Sequence, residues 1–291
     1  SVGAALVADP AVAGIAFTGS TETARGINRT LAAKDGPIVP LIAETGGINA
    51  MIVDATALPE QVADDVVASA FRSAGQRCSA LRLLFVQEDV ADAMIAMIAG
   101  AARELKLGDP RLLITDVGPV IDAESKANIL CHVEMLRATG KVVYEGTTPD
   151  GDLAGGTWVA PTIAVLDSPA ELTREVFGPV LHVVKWKAKE LDAVIDAVKA
   201  TGFGLTLGIH TRIEATVRKI TERLAVGNVY VNRNIIGAVV GVQPFGGSGL
   251  SGTGPKAGGP GYLARFVQEQ TISVNTAAAG GNASLIAMGE D

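Results

Sequence analysis

The chain has 291 residues, a formal net charge of −7 and a hydrophobic content of 48%. Its length suits one large domain or two smaller ones with ample material for a core. The acidic balance argues against nucleic acid or an anionic membrane as the main partner. Two cysteines and no signal-like start point to a reducing, cytoplasmic setting, and no apolar run approaches the ~20 residues of a membrane span. The chain opens in mid-pattern without Met, which reads as a fragment or a processed piece.

Residues 1–9 read as the end of a helix and a loop. A short apolar strand over 13–17 reaches the turn Thr18-Gly19-Ser20, and 21–34 has the pattern of a helix. Gly19 lets the backbone approach a ligand, and Ser20 can cap the helix or meet a phosphate at its N-terminus. The plain alternative for Ser20 is an ordinary N-cap. Glu22 in the first turn would repel a pyrophosphate, so its side chain is expected to point away.

Apolar strands over 38–43 and 48–53 flank Glu44-Thr45-Gly46-Gly47. A glutamate ending a buried strand is costly without a partner or a task. The alternative is a solvated loop carboxylate. Residues 59–74 have helical spacing and end at Gly75, which places Cys78 on the turn before an apolar strand over 81–86. A thiolate is favoured by a neighbouring cation and by backbone N–H groups, for which Arg77 and the turn amides are candidates. Read alone, a lone cysteine such as Cys78 is most often a small buried hydrophobe. If it is a nucleophile, a base is needed to resolve the covalent intermediate, and Glu44 is the candidate by type.

Helix over 88–106 carries its methionines as core filler. Helix over 122–138 carries Cys131 and His132, which point apart and are read as structural. Strands over 141–145 and 180–186, an extended stretch over 158–165, and a short helix from 168 ending near Glu175 follow. Glu175 is suited to accept hydrogen bonds from ribose hydroxyls, with a solvated acid as the alternative. Helices over 188–200 and 213–224 alternate with strands over 205–210 and 227–232, which supports α/β layering. His182 and His210 show no metal-like spacing, and no metal site is expected. The glycine-rich run 245–261 lacks the Gly-Lys-Ser/Thr of a phosphate loop. A last strand is expected over 266–275, then a small-residue tail over 276–291.

Taken together, five stretches resemble the NAD(P)-dependent aldehyde dehydrogenases. These are Phe17-Thr18-Gly19-Ser20-Thr21-Glu22, Glu44-Thr45-Gly46-Gly47, Gly75-Gln76-Arg77-Cys78, Glu175-Val176-Phe177-Gly178-Pro179 and Pro244-Phe245-Gly246-Gly247-Ser248-Gly249, in the family's order. Ala24 stands where the family often has glycine. The resemblance implies an α/β fold with part of a Rossmann-type NAD domain over 1–46, a catalytic cysteine domain over 47–262, and an oligomerisation strand and tail over 263–291. It implies Cys78 as nucleophile and Glu44 as base. It implies NAD held by Thr18, Gly19, Ser20, Glu44, Thr45, Gly46, Glu175 and Phe177.

Within that family the chain is most similar to the glutamate γ-semialdehyde (1-pyrroline-5-carboxylate) dehydrogenases, and more closely to the C-terminal module of proline utilization A proteins. Gly75 to Arg82, Tyr230-Val231-Asn232-Arg233-Asn234, Gly237-Ala238, Val239 to Gly241 and the tail from Asn275 to Ser284 carry this. The resemblance implies that Ser79, Gly237 and Ala238 hold the substrate's α-carboxylate while Phe245 packs on its aliphatic part. A hydroxyl and glycine-region amides suit a carboxylate, and an aromatic suits methylenes. It further implies a small aldehyde as substrate and a homodimer through the C-terminal strand. Any flavin (FAD) would belong to an upstream module outside this stretch. Competing readings are another thioester enzyme such as an acylating dehydrogenase or a thiolase, a silent assembly fragment, and a pure nucleotide-binding module. Glu44 favours hydrolysis over transfer to coenzyme A.

Overall fold

The computed structural model describes residues 2–275. Helix α1 (Val2–Ala8) precedes strand β1 (Ile15–Thr18), helix α2 (Thr21–Ala32), strand β2 (Leu41–Glu44) and strand β3 (Asn49–Val53). Then come α3 (Pro59–Phe71), β4 (Leu81–Gln87), α4 (Glu88–Arg103) and α5 (Ala123–Ala138). The rest is β5 (Val142–Glu145), β6 (Thr162–Leu166), β7 (Val180–Trp186), α6 (Leu191–Ala200), β8 (Phe203–Gly204), β9 (Thr206–His210), α7 (Glu214–Arg223), β10 (Asn228–Val231) and β11 (Ser248–Gly249).

Seven strands form the central sheet in the order β10-β9-β3-β4-β7-β6-β5. All neighbours are parallel except the edge pair β5–β6. A parallel sheet is covered on both faces, so its inner strands are apolar throughout. Every residue of β3 is buried, as is every residue of β4 up to Val86. Helices α3 and α4 pack on this sheet and on each other, with Val62, Val66 and Phe71 facing inward. β1 and β2 form a separate two-stranded parallel sheet. The strands on either side of Glu44-Thr45-Gly46-Gly47 therefore belong to different sheets. A third, antiparallel pair joins β11 to β8.

Local chemistry accounts for the helix starts near the site. Ser20 caps α2 by accepting from the Thr23 N–H at 3.1 Å. Pro59 occupies the first position of α3, where a missing N–H costs nothing. The end of α3 differs from the expected helix to residue 74. It stops at Phe71, and Ser73, Ala74 and Gly75 turn left-handed with φ of 56°, 52° and 65°. A left-handed conformation costs about 1–2 kcal/mol for a residue with a Cβ. Gly75 relieves the tightest point, since a Cβ there would sit 2.2 Å from the Gly178 carbonyl oxygen.

The strand expected over 266–275 is not formed. Residues 263–266 make a single 3-10 turn, and 267–275 have no strand assignment. A strand needs a neighbouring backbone to complete its ladder. Val267, Ile272 and Val274 are exposed. The tail over 276–291 lies outside the described residues.

One buried side chain ties the turn that carries Cys78 to the sheet. Asn49 opens β3 at 2% exposure, and its amide nitrogen donates to the carbonyls of Cys78 (2.6 Å) and Ala80 (2.9 Å). Its oxygen accepts from the Thr206 N–H of β9 at 3.1 Å. Leaving such buried groups unpaired costs about 1–3 kcal/mol each. Asn49→Ala is therefore expected to lower the unfolding free energy by at least about 2 kcal/mol in urea denaturation; a loss below about 0.5 kcal/mol would show the turn to be held by other contacts.

Candidate active site

Two chain breaks face each other across one cavity of about 1270 Å³. Single small-molecule sites are about 300–1,000 Å³, so this one has room for two ligands side by side. On one wall, β1 and β2 end in Thr18 and Glu44, followed by Gly19, Ser20, Thr45 and Gly46. On the opposite wall, Cys78 and Ser79 precede β4, and Glu175 and Phe177 precede β7. Gly237, Ala238 and Phe245, from the loop after β10, complete the lining. Every site residue named from the sequence thus lines the same cavity.

Cys78 is half-buried on its turn. Burial pushes its thiol above the ordinary value, and the nearby carboxylates of Glu175 and Glu44 push the same way. The backbone N–H groups of Ser79 and Cys78 oppose this by bonding to the sulfur. The expected role of the turn amides is present, but the expected role of Arg77 is not. Arg77 is exposed, and its Nε donates to the Ser73 hydroxyl at 3.0 Å. The cation on which the charge of Cys78 acts is Arg82, as the last of the causes that move it.

Arg82 is fully buried in β4. Nη1 donates to the Gly178 carbonyl at 3.0 Å, and Nη2 donates to the Arg77 carbonyl at 3.1 Å and to Glu175 Oε1 at 3.2 Å. Its guanidinium carbon stands 5.3 Å from the centre of the Phe177 ring, within cation–π range. Burial pushes Glu175 up and Arg82 down, and their pairing opposes both shifts. The Gly47 N–H also bonds the Glu175 carboxylate. A Cβ on Gly46 would lie 1.8 Å from Glu175 Oε2, so only glycine admits this approach. Glu175, read from the sequence as a ribose acceptor, is thus held by protein groups. Glu22 is exposed on the cavity rim, and its charge helps to raise Glu175.

Glu44 is turned toward the glycine-rich loop. Its Oε2 accepts from the Gly247 N–H at 3.2 Å, while Oε1 is buried without a hydrogen-bond partner among the described residues. Desolvation raises its carboxyl to about 7, against the Gly247 bond. A carboxyl at that value exchanges protons with water near neutrality, as a general base must. The histidines stay outside the cavity. His182 is buried, and its Nε2 lies 2.8 Å from His132 Nε2. Burial drives His182 down to about 3, so it is neutral. Among the described residues no cluster of three or more His, Cys, Asp or Glu is arranged to hold a metal, and no helix is long and apolar enough to cross a membrane.

Sequence reasoning does not single out Asn49 or Arg82, although Arg82 stands inside a quoted motif. A charged residue within an apolar strand is the available signal, because an arginine there must be paired. Two outcomes follow. In a Cys131→Ser background, iodoacetamide labelling of Cys78 should be slow at pH 7 and still rising above pH 9; a plateau below pH 8 would contradict the raised thiol. Arg82→Met should cost about 3–5 kcal/mol of stability by leaving Glu175 buried and unpaired, read by thermal or urea unfolding.

Comparison with known proteins agrees with this geometry. The profile of the aldehyde dehydrogenase family matches residues 1–272. The bifunctional protein PutA of Klebsiella aerogenes is 56% identical over 277 residues, which cover 93% of this chain and 21% of that protein. A crystal structure of bifunctional proline utilization A (PutA) superposes with a TM-score of 0.91 at 66% identity, covering 96% of this chain and 28% of the other. The 1-pyrroline-5-carboxylate dehydrogenase from Thermus, solved with bound NAD, superposes with a TM-score of 0.86 at 35% identity, covering 92% of this chain and 52% of the other. The chain therefore spans about a fifth of the PutA relative and about half of the Thermus protein. On these grounds the chain belongs to the aldehyde dehydrogenase family.

Proposed function

We propose that this chain carries the catalytic cysteine of an NAD-dependent dehydrogenase that oxidises L-glutamate γ-semialdehyde to L-glutamate, a step of proline catabolism. The observation that carries the reading is one cavity holding Cys78, ligated by its own turn amides, and Glu44, with a carboxyl raised to about 7. The likeness to PutA and to 1-pyrroline-5-carboxylate dehydrogenase supports the substrate.

The residues present fit NAD. Thr18, Gly19 and Ser20 open on the cavity at the N-terminus of the twelve-residue helix α2, where backbone N–H groups suit a phosphate. Thr45, Gly46, Glu175 and Phe177 line the passage from there to Cys78. NAD, when bound, supplies the hydride acceptor.

The Cys78 thiolate attacks the aldehyde carbon, forming a C–S bond and placing the electron pair on oxygen. The Cys78 N–H, next to the sulfur, is in reach of that oxyanion. After oxidation Cys78 carries a thioester. Glu44 takes a proton from water as the water adds to the thioester carbon, and the C–S bond breaks to release the acid. Ser79, with Gly237 and Ala238, binds the α-carboxylate, and Phe245 packs on the methylenes. We further propose the division at 46/47, with β1–β2 belonging to the cofactor-binding unit, together with pairing of two copies through residues 263–291 and a cytoplasmic location.

The test is NADH formation with glutamate semialdehyde against acetaldehyde and succinate semialdehyde, with selective turnover on the first expected. Cys78→Ala should abolish it, with a loss of at least about 10³-fold. Glu44 acts as a carboxylate, so the deacylation rate should rise with pH through about 7 and fall as the group protonates below that. Glu44→Gln should remove this limb and let a thioester accumulate, visible by mass spectrometry of the intact chain. An unchanged rate without thioester would sink the base assignment.

A further inference from the structure

Helix α3 presents three polar side chains four residues apart, Gln61, Asp65 and Ser69, which share one face. They descend from exposed through half-buried to fully buried. Each meets the segment that follows β10. Gln61 Nε2 donates to the Asn232 carbonyl at 2.6 Å. The backbone N–H and side-chain amide of Asn234 act on the Asp65 carboxylate. The Ser69 hydroxyl accepts from the Ile235 N–H at 3.1 Å. The other side of the segment is fixed by β9. Asn232, left-handed at φ 52°, exchanges side-chain hydrogen bonds with the backbone of Thr211, both at 3.0 Å. His210 lies 3.6 Å from Asp65 and bonds the Arg233 backbone.

Ile235 is fully buried, and two residues later Gly237 turns into the cavity at φ 73°. A Cβ on Gly237 would lie 3.8 Å from Arg77 Nη1, so the loop passes over the turn that carries Cys78. That turn is itself the continuation of α3. One helix therefore holds both ends of the substrate site.

We propose that Gln61, Asp65 and Ser69 are positioning residues that set the Gly237–Ala238 amides at a fixed distance from Cys78. The stripe thereby selects aldehydes with a carboxylate at the matching distance from the reacting carbon. This rests on the reading above that those amides bind the substrate's carboxylate.

The test uses Ser69→Ala and Asp65→Ala, with hydrogen–deuterium exchange and steady-state kinetics on the same preparations. The expected result is exchange at 235–240 at least about tenfold faster, with β3 and β4 unchanged. It is joined by a KM for glutamate semialdehyde raised about fivefold or more, while the KM for acetaldehyde stays within about twofold. Exchange that is unchanged at 235–240, or faster across the whole sheet, overturns the stripe as a positioning device. A loosened loop with both KM values unmoved overturns the carboxylate-binding role of the loop. If Asp65→Ala does not fold, Ser69→Ala alone gives the same readouts.

Discussion

The site depends on one buried cation. Arg82 stands in an apolar strand with no access to water, where its Nη1 and Nη2 groups are met while Nε has no partner among the described residues. The partners that meet them come from two different motifs. The Arg77 carbonyl belongs to the Cys78 turn, while the Gly178 carbonyl and the Glu175 carboxylate belong to the segment before β7. Glu175 in turn reaches Gly46 and Gly47. Three motifs, far apart in the chain between Glu44 and Gly178, are thus joined through a single guanidinium and its carboxylate. The fork of an arginine allows this, since it can donate in several fixed directions at once.

The cavity also occupies an unusual edge. In open α/β sheets ligands sit beyond the carboxyl ends of the strands. The β1–β2 pair obeys this, with Thr18 and Glu44 at the ends of their strands. The seven-stranded sheet does the reverse, because Cys78 and Glu175 precede β4 and β7. Only residues 45–48 separate β2 from β3. The chain leaves one sheet and enters the next within that short link, so the carboxyl edge of the first confronts the amino edge of the second. On the proposed reading, a cofactor held by the first would thereby be presented to Cys78 before the second.

Much of this is legible in the sequence because it is local. The bounds expected for β7 are the ones it has, and β4 differs by one residue, since a buried parallel strand is a continuous apolar run with clear stops. The site residues are legible because glycine pairs and isolated polar residues interrupt such runs. What the sequence hides depends on distant partners. Asn49 looks like any strand-opening residue until β9 and the Cys78 turn are placed beside it. Arg77 looks like the thiol's cation because it is adjacent in sequence, yet the side chain turns back to Ser73. The 266–275 segment has strand-like composition, but composition does not supply a neighbour.

The electrostatics of the cavity's own residues run against its chemistry. Two carboxylates raise the thiol, and burial raises both carboxyls. Burial thus works against the charged form of the thiol and of both carboxyls. The nicotinamide ring of oxidised NAD is cationic. Were NAD held along Thr45 and Gly46 as proposed, its positive charge would offset the repulsion that raises the thiol, because Coulomb terms weigh more at a partly buried site than in water. The same charge would stabilise Glu44 as a carboxylate. On the proposed reading, nucleophile and base would thus share one electrostatic condition for activity, coupled by the placing of Glu44, Glu175 and Cys78 around a single cavity.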